Sequence, residues 1–360
     1  MLLGQNKLTR RSILPSSVPS APNFNSPRGA KEARSTGLAV LVVTAVLSLL
    51  LLFYGSSSEP FTPVQGEGGD PSYTPGRYII PTAQDIAAIK SGGGPRRVVS
   101  PLSTLVHKGP ASPRVVLVTS LDADGTTFET LSRVLNDRKQ YAQAHGYGLY
   151  ARFAQEYGEK YMSAFSPTSW AKVSVARAAM HAFPDAEYFW YLDQNAVIMN
   201  PKVSVESLIQ NVGTDMLTNQ NVVLKSSVIK TDAKPYPNRV EFIFSQDEIG
   251  LSPFSFIYRN TDFSKSLLEY WNDPRHYNYW GFEKADASAL NHLAQWHPSM
   301  FRRMAIIPAR KFASMTAVTK GFDHLLYTLG DFVVTIRNCQ QNPANCEADL
   351  NKYLTFKQSL

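Results

Sequence analysis

The sequence predicts an α/β fold in which helices cover the faces of a ligand-binding sheet. Arg114–Leu121 and Tyr188–Leu192 are dense in β-branched or aromatic residues, as strands buried on both faces are. Segments with a helical spacing of apolar residues alternate with them along the chain. An acidic residue, Asp122 or Asp193, follows each strand. Because ligands of open α/β sheets bind beyond the carboxyl ends of the strands, these carboxylates mark the predicted binding edge.

The beginning of the chain predicts a membrane anchor behind a disordered tail. Residues 1–37 are rich in Ser, Pro, Asn and basic side chains and lack apolar periodicity, so we expect no folded core there. Residues 38–54 form an unbroken, uncharged apolar run, and about 17–19 residues rising 1.5 Å each just span a hydrocarbon layer of roughly 30 Å. A cleaved signal peptide is the alternative, but its apolar region would be shorter and nearer the start. We therefore expect a retained transmembrane signal anchor at 38–54.

The charges around this anchor predict its orientation. Six Lys or Arg residues precede Leu38 and only Glu32 opposes them, whereas three acidic residues follow the anchor before the next basic residue, Arg77. Basic flanking residues stay on the cytoplasmic side of a membrane. We therefore expect a cytoplasmic tail and a lumenal bulk, which is a single-pass type II arrangement.

The remainder divides into a linker and a single predicted lumenal domain. Residues 55–112 are rich in Gly, Pro and Ser and predict a stem, and residues 113–360 form the domain. The formal net charge of +7 comes partly from the tail and stem, and no stretch interleaves basic and aromatic residues, so we expect no nucleic-acid partner. The chain has two cysteines, Cys339 and Cys346. In an oxidising lumen a disulfide between them is favoured over two buried thiols.

Within this domain, strands and helices are predicted to alternate. The predicted strands are Arg114–Leu121, Tyr147–Phe153, Tyr188–Leu192, Arg239–Ser245 and Ser255–Arg259. The predicted helices are Phe128–His145, Ser169–Phe183, Phe263–Trp271 and Asp286–Trp296. Gly146 is expected to end the first helix and Ser169 to cap the second.

Asp193 is the leading candidate for a metal or nucleotide ligand. It ends a buried strand and precedes polar Gln194 and Asn195, and hard divalent cations bind one or two carboxylates together with substrate phosphates. The alternative is that a strand-terminal Asp only caps a turn or helix. Asp122, in the triplet Asp122–Asp124, is equally consistent with nucleotide contact and with capping.

Several motifs occur in a fixed order along the predicted domain. They are NDRKQYAQAHGY (Asn136–Tyr147), SWAK (Ser169–Lys172), WYLDQNAVIMNP (Trp190–Pro201) and SALNHLAQWHP (Ser288–Pro298), together with SQD, SFIYRN, LLEYWNDP and GDFVV. This set resembles glycosyltransferase family 34, and most of all its fungal α-1,6-mannosyltransferase subunits, which build mannan. The resemblance implies a GT-A fold, a type II Golgi anchor, a nucleotide-sugar donor, a Mn²⁺ ion and transfer with retention at the anomeric carbon.

The resemblance also implies roles for particular side chains. Asp193, with Asn195 at the second position of the motif, would hold Mn²⁺ or the donor ribose. Lys172 would contact donor phosphate, unless it is a snorkelling surface lysine. Asp247 and Asp286 match acidic positions of the family and would orient acceptor hydroxyls.

Some positions depart from the family pattern. Asn195 stands where a second aspartate is usual, Thr335 and Asn338 stand near a usual histidine ligand, and Ala287 replaces a glutamine. The segment Leu251–Phe256 reads LSPFSF and lacks a usual glycine. Together these changes reduce the electrostatic groups on which a retaining transfer depends.

Other conspicuous residues are expected to be structural. His145 and His297 fall within the motifs but lack a metal-ligand spacing, so hydrogen-bonded structural roles are expected. Trp170, Trp271 and Trp296 are predicted core residues rather than platforms for sugars.

Two classes of function follow. The first is a Golgi α-1,6-mannosyltransferase that uses GDP-mannose and Mn²⁺ on the mannose-containing glycan acceptor N-glycan mannan, as one subunit of a hetero-oligomeric membrane complex. The second is a binding or structural subunit that keeps the GT-A fold and supports a more complete paralogue. A UDP-galactose-dependent galactosyltransferase is a further alternative, because the motifs do not locate the residues that select the donor.

Overall fold

The computed structural model describes residues 77–91, 112–157, 168–222, 229–337, 339 and 342–358. The predicted tail (1–37), the predicted anchor (38–54) and most of the predicted stem lie outside these residues. Among the residues that are described, none of the helices combines the length and apolarity needed to cross a bilayer.

Ten strands form two sheets in the described part of the chain. They are β1 (Tyr78–Ile79), β2 (Val115–Leu121), β3 (Gly148–Phe153), β4 (Tyr188–Leu192), β5 (Ala196–Ile198), β6 (Phe242–Gln246), β7 (Leu251–Arg259), β8 (Met304–Ile306), β9 (Ser314–Met315) and β10 (Val333–Thr335). The large sheet has the order β1-β3-β2-β4-β7-β6-β8, and the small sheet β5-β10-β9. In the large sheet β1 to β4 are mutually parallel, β7 is antiparallel to β4 and β6, and β8 is parallel to β6.

Helices alternate with these strands, which confirms the predicted α/β class. They are α1 (Ala83–Ser91), α2 (Phe128–His145), α3 (Ala171–Ala182), α4 (Val205–Gln210), α5 (Val212–Asp215), α6 (Asp262–Trp271), α7 (Pro274–Tyr277), α8 (Ala285–Trp296), α9 (Pro298–Phe301), α10 (Ala309–Phe312) and α11 (Pro343–Gln358). Short 3₁₀ segments lie at Ala154–Tyr157, Thr168–Trp170, Pro237–Arg239 and Asp323–Leu325.

The two helices whose caps were predicted behave differently. Helix α2 has the predicted bounds; Thr127 Oγ1 accepts a hydrogen bond from the Thr130 N–H at 3.3 Å, and Gly146 ends the helix with φ +71°. Helix α3 begins at Ala171, after a 3₁₀ turn, and no side chain caps it. The prediction that Ser169 is the cap is therefore wrong, because the 3₁₀ turn occupies that position.

The strand β4 lies at the centre of the core and is buried on both faces, as predicted. Phe189 and Tyr191 belong to one apolar cluster, and Trp190 and Leu192 belong to the cluster on the opposite face. The ring of Tyr191 stacks on Phe256 of the neighbouring strand with centroids 5.0 Å apart. This packing fixes the end of β4, and hence the position of the residues that follow it.

The strand β7 is longer than predicted. It begins at Leu251 rather than Ser255, so the LSPFSF segment lies within a strand. The pairing register with β6 shifts between Phe244 and Ser245, and a strand tolerates a proline such as Pro253 near such an irregularity. Leu251 and Ser252 pair with Gln246 and Ser245 of β6 across a short turn, and this hairpin pairing extends β7 beyond the predicted strand.

Part of the segment predicted as a stem folds onto the domain. Strand β1 pairs in parallel with β3, and Ile86 and Ile89 of helix α1 are buried in a cluster with Leu131 of α2. Residues 77–91 contain few apolar side chains, but the edge of the large sheet and helix α2 cover them. The assignment of the whole of 55–112 to a linker is therefore corrected for residues 77–91.

Candidate functional site

One cavity of about 330 Å³ lies at the carboxyl ends of β2 and β4. Its lining includes every candidate residue predicted from the sequence: Asp122, Lys172, Asp193, Asn195, Asp247 and Asp286. Four of these residues follow the ends of strands, and the other two lie on helices α3 and α8. The fold thus brings the candidates together, while the role of each stays a prediction.

Lys172 lies between two carboxylates inside this cavity. The residue is 3% exposed, and its Nζ lies 3.0 Å from Asp286 Oδ2 and 3.5 Å from Asp193 Oδ2. Burial lowers the pKa of Lys172, but the two carboxylates more than offset this effect, so the pKa is raised overall. Lys172 is therefore a buried cation, and the alternative of a snorkelling surface lysine is wrong.

Asp193 shapes the turn after β4 and also faces the cavity. Its N–H donates to the Phe254 carbonyl at 2.8 Å, and its Oδ1 accepts the Asn195 N–H at 3.0 Å. The second oxygen, Oδ2, faces Lys172. One oxygen thus performs the capping role that was the alternative prediction, and the other has capacity for a ligand.

Arg138 holds the turn after β4 through hydrogen bonds to its backbone, and it was not predicted as a site residue from the sequence. It lies fully buried on α2, and its Nη2 donates to the carbonyls of Asp193 at 2.8 Å and Ala196 at 2.7 Å. Burial lowers the pKa of Arg138, although the adjacent Asp137, with which it forms an ion pair, opposes that shift. The feature of the sequence that could have indicated Arg138 is the adjacent charged pair Asp137 and Arg138 in an amphipathic helix.

Asp122 is hydrogen-bonded through its backbone and both carboxylate oxygens. Its N–H donates to Gln194 Oε1 at 2.6 Å, and its Oδ2 accepts from Thr168 Oγ1 at 2.8 Å. Its Oδ1 accepts from Gln155 Nε2 at 2.7 Å and from the Asp124 N–H at 3.0 Å. These contacts join the ends of β2 and β4 to the 3₁₀ turn before α3, which favours the capping alternative for Asp122.

Both carboxylate oxygens of Asp247 are also engaged. Its Oδ1 accepts the N–H groups of Ile249 at 2.9 Å and Gly250 at 3.1 Å, and its Oδ2 accepts from Arg337 Nη1 at 3.2 Å. Gly250 has φ +146°, and a Cβ there would lie 2.5 Å from Asn291 Oδ1, so the turn requires glycine. Burial raises the pKa of Asp247, although Arg337 and the two N–H groups oppose this shift.

Asp286 projects from the first turn of α8 and is 3% exposed. The preceding residue, Ala285, has φ +46°, a left-handed conformation that is costly for a non-glycine residue and that is often found at functional sites. Trp271 Nε1 donates to the Asp286 carbonyl at 2.9 Å and fixes this turn. Asp286 Oδ2 is buried and lies 3.0 Å from Lys172 Nζ, which is its charged partner among the described residues.

Asn195 lies against a disulfide in the cavity wall. Cys339 and Cys346 are bonded to each other, which confirms the predicted bridge, and both line the cavity. Asn195 Oδ1 lies 3.6 Å from Cys346 Sγ, and the Asn195 carbonyl accepts the Ile336 N–H at 2.7 Å. The disulfide therefore fixes the start of α11 beside the turn that follows β4.

A metal would find oxygen ligands here, but few of them. Within the described ranges, no group of three or more His, Cys, Asp or Glu side chains is arranged to hold an ion. Asp193 and Asn195 both line the cavity, and a hard cation accepts carboxylate and amide oxygens together with substrate phosphates. Because Asp193 Oδ2 already faces Lys172 Nζ at 3.5 Å, a Mn²⁺ ion here would take most of its ligands from the donor.

Of the positions that depart from the family pattern, some line the cavity and others do not. Ala287 lines the cavity and gives it no polar side chain. Thr335 is buried in β10, and its Oγ1 has no hydrogen-bond partner among the described residues. Asn338 lies outside the described residues.

The histidines and tryptophans set aside as structural largely behave so. His145 Nε2 lies 2.8 Å from a backbone carbonyl oxygen, and the His297 ring packs edge-on against a tyrosine at 5.2 Å. Trp170 and Trp271 are buried as predicted. Trp296 is 69% exposed, so its prediction as a core residue is wrong.

An α/β sheet with carboxylates and a buried cation beyond its strand ends is typical of proteins that bind phosphorylated ligands. Comparison of the sequence with known protein families identifies the class of protein more closely. The chain belongs to the galactosyl transferase GMA12/MNN10 family, whose model matches residues 111–347. The predicted resemblance to this glycosyltransferase family is confirmed.

Relatives within the family carry two different activity names. The chain is 30% identical over 262 residues to an uncharacterized α-1,2-galactosyltransferase of Schizosaccharomyces pombe, covering 69% of this chain and 77% of the relative. It is also 30% identical over 273 residues to the probable α-1,6-mannosyltransferase MNN11 of Saccharomyces cerevisiae, covering 70% of this chain and 64% of MNN11. A solved glycosyltransferase involved in glycosylation of the major capsid of PBCV-1 is similar with a TM-score of 0.45 and 11% identity, covering 67% of this chain and all of that one.

Proposed function

We propose that this protein is a hexosyltransferase that transfers mannose from GDP-mannose, in α-1,6 linkage and with retention, to the mannose residues of N-glycan mannan. The observation that carries the proposal is the convergence of the predicted candidates on one cavity in a chain of this glycosyltransferase family. The relative named as a probable α-1,6-mannosyltransferase supports the choice of donor and linkage.

The reaction exchanges one bond to the anomeric carbon for another. The bond from C1 of the sugar to the diphosphate oxygen breaks, a bond from an acceptor hydroxyl oxygen to C1 forms, and the hydroxyl proton passes to the departing diphosphate. Negative charge therefore grows on the diphosphate during the reaction. Lys172 is held charged inside the cavity by Asp286 and Asp193, and a buried cation there stabilises such charge more than it would in water.

A Mn²⁺ ion held by Asp193 and Asn195 is part of the proposal. When bound, it would supply a Lewis acid to the diphosphate, a contribution of several kcal/mol to stabilisation of the charge. Arg138 holds the turn on which both residues lie, through its bonds to two carbonyls. The orientation of the candidate ligands is thus set by a residue that lies outside the cavity lining.

The two carboxylates proposed to orient acceptor hydroxyls have different partners in the structure. Asp286 lines the cavity and its Oδ2 pairs with Lys172 at 3.0 Å, so its carboxylate is proposed to orient an acceptor hydroxyl beside that cation. Asp247 uses both oxygens to hold a turn and Arg337. In the proposal Asp286 contacts the acceptor, and Asp247 positions Arg337 at the cavity.

The setting of the enzyme is proposed from the sequence. The apolar segment 38–54 anchors the chain in the Golgi membrane as a single-pass type II protein with a lumenal domain. The protein acts in a hetero-oligomer with other mannosyltransferase subunits.

Two alternatives each rest on an observation. A galactose donor is favoured by the relatives named α-1,2-galactosyltransferases, one of them 30% identical to this chain. A scaffold subunit is favoured by Ala287 and Asn195, which leave the cavity with one polar side chain and one charged side chain fewer than the family pattern has.

The test compares donors on the full chain purified with its membrane partners. GDP-mannose and UDP-galactose are supplied in parallel with an α-mannoside acceptor and Mn²⁺, and the product linkage is read by NMR. Mannose transfer in α-1,6 linkage is expected. Transfer of galactose alone contradicts the donor assignment, and transfer that persists in complexes carrying an inactive form of this chain supports the scaffold.

A further inference from the structure

A cluster of six aromatic rings, three of them exposed and three half-buried, lies on α7, α8 and the connection between them. This aromatic ridge consists of His276, Tyr279, Trp280, Phe282, His292 and Trp296. Neighbouring ring centroids are 4.9 to 6.2 Å apart, so the rings form one continuous cluster. Trp280 is 77% exposed and Tyr279 is 50% exposed. Exposed apolar clusters of this kind mark binding surfaces.

Two observations place the aromatic ridge near the cavity. Lys284 and Asp286, which line the cavity, follow Trp280 within six residues. Tyr277 of α7, the neighbour of His276 in the chain, packs edge-on against Trp170 with centroids 6.1 Å apart, and Trp170 adjoins the cavity-lining Ser169. The ridge therefore lies within a few residues of the cavity lining along the chain.

The local sequence holds one ring of the ridge against the backbone. A Cβ at Gly281 would lie 2.7 Å from the Tyr279 ring, so glycine at this position leaves room for the ring to lie across the turn. Burial lowers the pKa of His292, as do the neighbouring His276 and His297. The His292 ring is thus uncharged at neutral pH, which suits a neutral ligand better than an anionic one.

The size of the cavity decides what must cover the ridge. At about 330 Å³ it lies at the small end of the range for ligand pockets, roughly 300–1,000 Å³. Such a volume does not hold a polymer. A glycan chain that places its end in the cavity must continue outside it, and Trp280 of the aromatic ridge precedes the cavity-lining Lys284 by four residues.

We propose that the aromatic ridge binds the hexose units of the acceptor glycan that adjoin the reacting unit, chiefly through Tyr279 and Trp280. This inference rests on the proposed function for the class of acceptor. Aromatic side chains present a flat apolar face, against which the C–H face of a pyranose packs, and the tyrosine hydroxyl adds a hydrogen-bonding group at the edge.

The test measures acceptor binding without any donor. The full chain in detergent is titrated with α-1,6-linked mannotriose by ligand-observed NMR. Trp280→Ala and Tyr279→Ala are each expected to weaken binding by about tenfold. Tyr236→Ala is the matched control, because Tyr236 is 48% exposed but packs on Arg239, away from the ridge. Its affinity for mannotriose is expected to equal that of the wild type.

Equal mannotriose affinity in wild type, Trp280→Ala and Tyr279→Ala overturns the proposal. So does a change in sedimentation mass for Trp280→Ala with unchanged sugar binding, because the ridge is then a protein interface. The outcome is separable from the proposed function. If the chain transfers no hexose but binds mannotriose through Trp280, the ridge proposal stands and the enzyme proposal fails. If Trp280→Ala transfers mannose with an unchanged acceptor KM, the enzyme proposal stands and the ridge proposal fails.

Discussion

Replacing Lys172 by Met tests whether its ion pairs hold the cavity together. Lys172 is 3% exposed, and its Nζ lies 3.0 Å from Asp286 Oδ2 and 3.5 Å from Asp193 Oδ2. Methionine keeps much of the aliphatic volume but removes the charge, so two buried carboxylates lose their cation. Removing one partner of a buried ion pair costs about 3–5 kcal/mol of unfolding free energy. Since 1 kcal/mol shifts the melting temperature of a domain of this size by about 2–4 °C, we expect a decrease of about 6–20 °C.

The effect of Lys172→Met has a defined pH dependence. The two carboxylates outweigh burial and raise the pKa of Lys172 above its value in the unfolded chain. A raised lysine pKa contributes stability that is fully present below the unfolded-state pKa of about 10.4 and is lost as pH rises through the folded-state pKa. The difference between wild type and variant is therefore expected to persist at neutral pH and to shrink in strong alkali.

Thermal and urea unfolding of the full chain, followed by circular dichroism, measures this difference. Lys265→Met is the matched control, since Lys265 pairs with Asp262 at 3.4 Å on the surface with about half of its side chain exposed. Exposed pairs contribute about 0–1 kcal/mol. A loss of stability in Lys172→Met no larger than that in Lys265→Met would refute the reasoning.

Three further changes test the surroundings of the cavity. Arg138→Met removes the guanidinium under the turn after β4, and urea titration is expected to show a loss of about 3–5 kcal/mol. Replacing Cys339 and Cys346 by Ser opens a short loop with a sequence separation of 7, and non-reducing unfolding is expected to show a loss of about 2–3 kcal/mol. Burial raises the pKa of Asp331, but its hydrogen bonds, led by those from Arg310, outweigh that effect and lower it. Its stabilisation is thus present above the unfolded-state pKa of about 3.9 and is lost as pH falls through the folded-state pKa, so Asp331→Asn is expected to cost about 1–3 kcal/mol at pH 7 and little at pH 2. Wild-type stability in any of the three would contradict the contact that it tests.

The elements with strong local patterns were predictable from the sequence. Helix α2 has its predicted bounds because an apolar stripe and Gly146 both indicate the same helix. Strand β4 was predictable because it is apolar on both faces. Strand β1 and the first part of β7 were not, because β1 is two residues long and the start of β7, which contains Pro253, is extended by hairpin pairing with β6.

The site was predictable where its residues follow strand ends. Asp122 and Asp193 lie at the cavity because parallel strands β2 and β4 bring their carboxyl ends together. The support from Arg138 and Arg337 was not predictable, since each side chain reaches the site through tertiary contacts alone. Trp296 was misjudged because helical spacing does not separate a buried from an exposed position in the last turn of a helix.

The central claim is that this chain itself transfers a hexose at the cavity that contains Asp193. The most direct measurement compares wild type and Asp193→Asn, each as the full chain with its co-purified partners, in mannose transfer from GDP-mannose to an α-mannoside acceptor. Removing one electrostatic group of this kind lowers a rate by about 10²–10³-fold, and we predict a loss of this size while the complex stays assembled. An unchanged rate in Asp193→Asn, together with complete loss when the whole chain is deleted, would contradict the claim.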